Sequence, residues 1–83
     1  MAPTVAKPYY RAVMTIQDAL LFLIESGPGR TEAELARAIF GPNGYQQQVN
    51  GDCRMLENRG AVERRGTGGA VEPFTYYLKA THV

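Results

Sequence analysis

Four arginines, Arg54, Arg59, Arg64 and Arg65, fall within twelve positions of this 83-residue chain, and arginine outnumbers lysine seven to two. A guanidinium is a planar fork that meets a phosphate or a guanine edge with paired hydrogen bonds, which the point charge of a lysine does not do. Just upstream lies a set of amides, Gln46, Gln47, Gln48 and Asn50. Glutamine and asparagine amides can pair bidentately with adenine. Glu57 and Glu63 are interspersed, and the formal net charge is only +1. The same arginines therefore also fit a solvated surface neutralised by acids, and Gln46-Gln47-Gln48 also fits a plain polar helical turn.

Residues suited to covalent or acid–base chemistry are scarce. The chain has one serine (Ser26), one cysteine (Cys53) and one histidine (His82). Ser26 ends a helix and His82 is next to last, so neither is placed for the rigid positioning a nucleophile or base needs. Cys53 falls on the apolar face of a helix, where a small core thiol is the simpler reading. Asp18 and Asp52 have no carboxylate partner at a suggestive spacing. Metal ligands at recognisable spacing are absent, and the glycine-rich pieces lack the Gly-Lys-Ser/Thr of a phosphate loop. The expectation is no catalytic residue, no metal and no cofactor, with no small-molecule ligand evident.

Composition narrows the class further. The length fits one small domain with little core to spare for a deep catalytic cavity. An apolar content of 45% with near-neutral charge argues against a disordered chain. One cysteine excludes an internal disulfide framework. The longest apolar run, Ala19 to Ile24, is far short of the roughly 20 residues a membrane helix needs, and it lacks the features of a signal peptide. A cytoplasmic chain without a membrane association is expected.

The elements that must position these side chains follow from periodicity. Residues 1–14, with Pro3 and Pro8, read as a loose arm in which Tyr9 to Met14 form either a short strand or an extension of the next helix. A first helix is expected from Thr15 to Ser26: Thr15 and Asp18 can make a capping box, Ile16, Leu20, Leu23 and Ile24 form the apolar stripe, and Gly27-Pro28 stops it. A second runs from Glu32 to Phe40, with Thr31 and Glu34 as another capping box and Leu35, Ala36, Ile39 and Phe40 buried. Gly41 to Gly44 reads as a turn. A third helix is expected from Tyr45 to Arg59, with Tyr45, Val49, Cys53 and Leu56 on one face and Gln46, Gln47, Asn50, Gly51, Arg54 and Asn58 opposite. Gly51 inside it costs about 1 kcal/mol relative to alanine, which points to a packing cause or to close approach of another backbone or a phosphate. After Gly60 the period changes to two: Ala61 to Arg65 and Phe74 to Lys79 read as strands joined by a glycine-rich tip at 66–69, with Phe74, Tyr76 and Leu78 on one face. Residues 80–83 are expected to fray.

This is an α+β, mostly helical chain, a three-helix core followed by a two-stranded β-hairpin, over residues 15–79. The order resembles the winged helix-turn-helix family. The capped start Thr31 to Ala36, the third-helix residues Val49, Cys53 and Leu56, the junction Leu56 to Arg64 and the returning strand Phe74 to Leu78 carry the resemblance. It departs from the family in the longer connection Phe40 to Tyr45 and in Asp52, a carboxylate on the presumed recognition helix that must either accept from a cytosine amino group or face away.

The resemblance implies double-stranded DNA binding, as in a small transcriptional regulator, with the third helix in the major groove and the hairpin wing on the backbone or minor groove. Carried across, it makes Gln46, Gln47, Asn50 and Arg54 base-edge candidates. Thr31 and Arg30 become phosphate candidates at the second helix's start, and Arg64, Arg65, Thr67 and Gly68 wing contacts. A homodimer joined through the arm would double the phosphate contacts. The competing expectation is a protein-interaction module of the same fold, favoured by the near-neutral charge and by Tyr9, Tyr10 and Tyr77 if exposed. The discriminator is whether Arg54, Arg64 and Arg65 share a face with Asn50, or whether Asp52, Glu57 and Glu63 break it.

Overall fold

The computed structural model describes residues 14–79, so nearly all of the expected N-terminal arm, and residues 80–83, lie outside the described residues. Three helices and a three-stranded antiparallel sheet follow in the order α1 (Ile16–Ser26), β1 (Arg30–Thr31), α2 (Glu32–Phe40), α3 (Asn50–Asn58), β2 (Val62–Arg65) and β3 (Thr75–Leu78), with a 3-10 turn at Gln46–Gln48 leading into α3. Among the described residues no helix is long and apolar enough to cross a membrane.

The first two helices begin and end where their caps dictate. Thr15 Oγ1 accepts from the Asp18 N–H at 3.0 Å, while the reciprocal half of the expected capping box is not formed. At α2 the box is complete: the Thr31 N–H donates to Glu34 Oε1 at 2.8 Å and the Glu34 N–H donates to Thr31 Oγ1 at 3.2 Å. Ala19, Leu20, Leu23 and Ile24 of α1 meet Leu35, Ala36 and Ile39 of α2 and Val49, Cys53 and Leu56 in one core, closed by Val62 and Tyr76 from the sheet. Of the expected stripes Leu20, Leu23, Ile24, Leu35, Ala36 and Ile39 are buried; Ile16 and Phe40, at the first position of α1 and the last of α2, are only partly buried against the core, and Ala19 is buried in addition.

The third helix differs from its expected form. Residues 46–48 wind as a 3-10 turn, with the Gln48 N–H on Tyr45 O and the Val49 N–H on Gln46 O, both at 3.0 Å. The Tyr45 N–H is held by Gln48 Oε1 at 2.9 Å. A 3-10 turn advances about 120° per residue and an α-helix about 100°. Tyr45 therefore rotates out of line with Val49 and Cys53, and is 57% exposed instead of buried. The tight winding carries Val49, fully buried, into the core ahead of α3.

The sheet holds a strand that periodicity could not show. β1 pairs with β3 through Arg30↔Tyr76 and Thr31↔Thr75, and β2 pairs with the other edge through Val62↔Leu78, Glu63↔Tyr77, Arg64↔Tyr76 and Arg65↔Thr75. The order is β1-β3-β2, with β3 central. Of the three residues expected on one face of β3, Tyr76 is buried, Phe74 half-buried and Leu78 exposed. Tyr77, which would favour a protein interface if exposed, is half-buried, beneath the Arg65 guanidinium and over Gly29.

Two glycines of this helical half meet opposite constraints. A β-carbon on Gly44 would lie 2.5 Å from the Ala36 carbonyl oxygen, whereas one on Gly51 would meet nothing within 4 Å. The described fold thus supplies no packing cause for Gly51. Gly51→Ala should raise the unfolding free energy by about 0.5–1 kcal/mol, from helix propensity alone. Gly44→Ala should lower it by about 1–3 kcal/mol, because backbone must move. Urea denaturation of the two variants checks both signs, and a destabilised Gly51→Ala would mean that the helix start is packed differently.

Candidate functional site

The complete capping box fixes the first turn of α2, the 3-10 turn fixes the entry to α3, and the sheet register fixes β2 beside them. A groove of 310 Å³ opens where these three converge. One wall is Thr31, Glu32 and Ala33. The floor and far wall are Gln46, then Asn50 and Arg54, which stand one turn apart on α3 and so share a face. The hairpin closes the groove with Arg64, Gly68, Pro73 and Phe74.

Arg64 is held from two sides. Its Cζ lies 4.0 Å above the Phe74 ring centre, and its Nε lies 3.4 Å from Glu57 Oε1. A guanidinium over an aromatic face is attracted by the ring quadrupole and keeps its fork available at the edge. The hairpin loop supports that ring. The Thr67 and Gly68 N–H groups and the Thr67 hydroxyl all donate to the Glu72 carbonyl. At Gly68, with φ +90, a β-carbon would lie 2.6 Å from the Phe74 ring. Only glycine gives the ring this seat.

Six of the ten sequence candidates line this groove: Thr31, Gln46, Asn50, Arg54, Arg64 and Gly68. The other four do not. Gln46 and Gln47 belong to the 3-10 turn and not to the helix expected to carry them, and Gln47 stands exposed outside the groove. Arg30 folds back over the end of α1, its Nε donating to Gly27 O at 3.2 Å, in contrast to its expected place beside the α2 N-terminus. Arg65 follows Arg64 in a strand and so points to the opposite face, where it pairs with Glu63 at 3.0 Å and stacks on Tyr77. Thr67 spends its hydroxyl on the loop closure.

The acidic residues resolve as differently. Asp52 faces away from the groove: its Oδ1 accepts from Gln17 Nε2 at 3.2 Å, and Gln17 Oε1 accepts from Arg59 Nη1 at 2.7 Å. Glu57 stands beside Arg64, and Glu63 lies outside with Arg65. The carboxylate in the groove is Glu32, whose Oε2 accepts from the Tyr76 phenol at 2.5 Å. Among the described residues neither Glu32 nor Arg54 has an ion-pair partner. Glu32 also places a favourable negative charge on the first turn of α2. Its place in the groove follows from the sheet register, because Tyr76 is central in β3. Phe74, expected as the first residue of a strand, lies one position before β3, and its role as the platform for Arg64 has no signal in the sequence. Among the described residues no group of three or more histidines, cysteines or acids is arranged to hold a metal ion.

Burial sets the titration of two groups beneath this surface. Desolvation, with Glu32 and Asp52 nearby, pushes the Cys53 thiol from 9.0 up to about 12. Desolvation and the hydrogen bond to Glu32 push the Tyr76 phenol up from its ordinary 10.0. In the unfolded chain Cys53 ionises near its ordinary value while the folded chain keeps the proton. The unfolded state therefore binds fewer protons above that value, and stability falls as pH rises from about 9 toward 12. Tyr76 acts in the same direction at higher pH. The urea midpoint should drop between about pH 8 and about pH 10.5, and Cys53→Ala should flatten that drop. Equal drops in both proteins would remove Cys53 from the cause. In comparisons with known proteins, no family model and no curated protein matches the chain.

Proposed function

We propose that the chain is a winged helix-turn-helix domain that binds double-stranded DNA as a small cytoplasmic transcriptional regulator, without enzymatic activity. In this reading α3 enters the major groove of the duplex, and the β2–β3 hairpin is the wing, lying on the adjacent backbone or minor groove. The observation that carries it is the convergence of Thr31, Gln46, Asn50, Arg54, Arg64 and Gly68, spread over 38 positions of sequence, on one concave surface. Amides and guanidinium groups on one face are the side chains that read base edges. Asp52, turned toward Gln17, leaves that face of α3 free of its carboxylate. A homodimer completes the reading by placing two such surfaces on one duplex.

A specific observation favours a protein partner as the second reading. Both wing arginines already have carboxylate neighbours, Arg64 with Glu57 and Arg65 with Glu63, which leaves Arg54 as the unpaired cation in the groove among the described residues. Phosphate neutralisation drives non-specific DNA affinity, so this arrangement weakens it.

Amide-resolved NMR titration with a random-sequence duplex separates the two. Shifts at residues 46–54 and 64–69 should develop at about 50 mM salt and fade at about 200 mM. Arg54→Ala, at an exposed position, should leave the unfolding curve unchanged and cost about 1–3 kcal/mol of binding. An absence of shifts at the lower salt puts a protein partner in place of DNA.

A further inference from the structure

The groove holds one hydrogen-bond acceptor that is charged, fixed in direction and without a counter-ion among the described residues. Glu32 lies in the first turn of α2, half-buried, in the same groove as Gln46, Asn50, Arg54 and Arg64. Tyr76 is fully buried and stays protonated, so its hydroxyl donates to Glu32 Oε2 and fixes the carboxylate plane. Oε1 has no hydrogen-bond partner among the described residues. A phosphate is repelled at that point. A ligand group that fits it must donate a hydrogen bond.

On the major-groove edge of a duplex, cytosine N4 and adenine N6 are such donors and guanine presents only acceptors; adenine's N7 acceptor beside its amino group opposes an acceptor-only carboxylate, so cytosine is the base that pairs with glutamate. The neighbouring side chains are of other types: Gln46 and Asn50 match adenine, and Arg54 matches guanine or phosphate. We infer that Glu32, oriented by Tyr76, is a specificity-determining residue that selects a cytosine at one position of the bound duplex. This rests on the DNA-binding reading above. It assigns to α2 the carboxylate recognition that the sequence offers at Asp52 and that the Asp52–Gln17 contact removes from α3.

The test is enrichment of bound sequences from a pool of random duplexes by the full chain, comparing wild type, Glu32→Gln and Tyr76→Phe. Wild type should fix cytosine at one position with roughly tenfold preference over the other bases, the size of one good base contact. Glu32→Gln keeps the side-chain shape and an oxygen that can accept from Tyr76, and should move that position toward adenine while leaving the others unchanged. Tyr76→Phe frees the carboxylate and should weaken the cytosine preference without redirecting it. Urea denaturation of both variants shows whether each is folded, and a purely structural role for Glu32 would alter stability without changing the preferred base. Enrichment of the same motif by wild type and a folded Glu32→Gln overturns the assignment and leaves DNA binding standing. Should Glu32→Gln fail to fold, a weakened cytosine preference in Tyr76→Phe supports the role, and an undiminished preference there overturns it. No enriched motif with wild type, together with no NMR shifts, overturns the DNA reading and this assignment with it.

Discussion

The placing of one groove wall against the sheet depends on where Tyr76 puts its hydroxyl. The ring is the largest fully buried side chain and sits on the central strand, with Arg30 and Arg64 paired to it on either side. A phenol carried into a core needs a partner for its O–H, and an unsatisfied one costs about 1–3 kcal/mol. Glu32 is that partner, so the first turn of α2 is tied to the middle of the sheet. Thr31 removes any slack between them. It pairs with Thr75 as the last residue of β1 and, with no residue intervening, is the N-cap of α2. One groove wall is thus set relative to the opposite wall by backbone pairing and one side-chain hydrogen bond.

The hairpin divides its two arginines by the same geometry. Successive residues of a strand face opposite sides, so Arg64 turns to the helices and Arg65 away from them. Each rests on an aromatic ring, Phe74 or Tyr77, and each has a glutamate at its edge. Such contacts restrict a long side chain in advance, so less rotamer freedom is left to lose when something binds. They also make any incoming anion compete with a carboxylate already in place.

Much of this was legible in the sequence, for definite physical reasons. Thr31 and Glu34 announce α2 because a capping box is a local contact, and the apolar stripes of α1 and α2 announce the core because burial imposes a period. The tilt of Tyr45 out of the core was not legible. Three glutamines favour neither 3-10 nor α winding, and the Gln48 side chain on the Tyr45 N–H is a capping contact that either winding allows. β1 has two residues and hence no period to detect. The directions of Arg30 and Glu32 are set by partners far away or on other elements, Gly27 and Tyr76, and no spacing rule reaches from residue 32 to residue 76. Arg65 and Arg64 were separable in principle by strand alternation alone.

The closure at the Glu72 carbonyl also marks where the chain can change length. Three donors from Thr67 and Gly68 converge on that one oxygen, and the Phe74 ring lies against Gly68, so the loop is sealed below its tip. Residues 69–71 lie beyond the seal and are exposed, Val71 at 99%. Extra residues inserted there lengthen a loop whose closing cost grows only logarithmically, about 0.6 kcal/mol per doubling. The ladder, the Arg64 platform and the groove beneath would not register the change. The hairpin therefore combines a wall of fixed geometry with an end of adjustable reach, and a longer tip could extend the contact surface without redesign of the core.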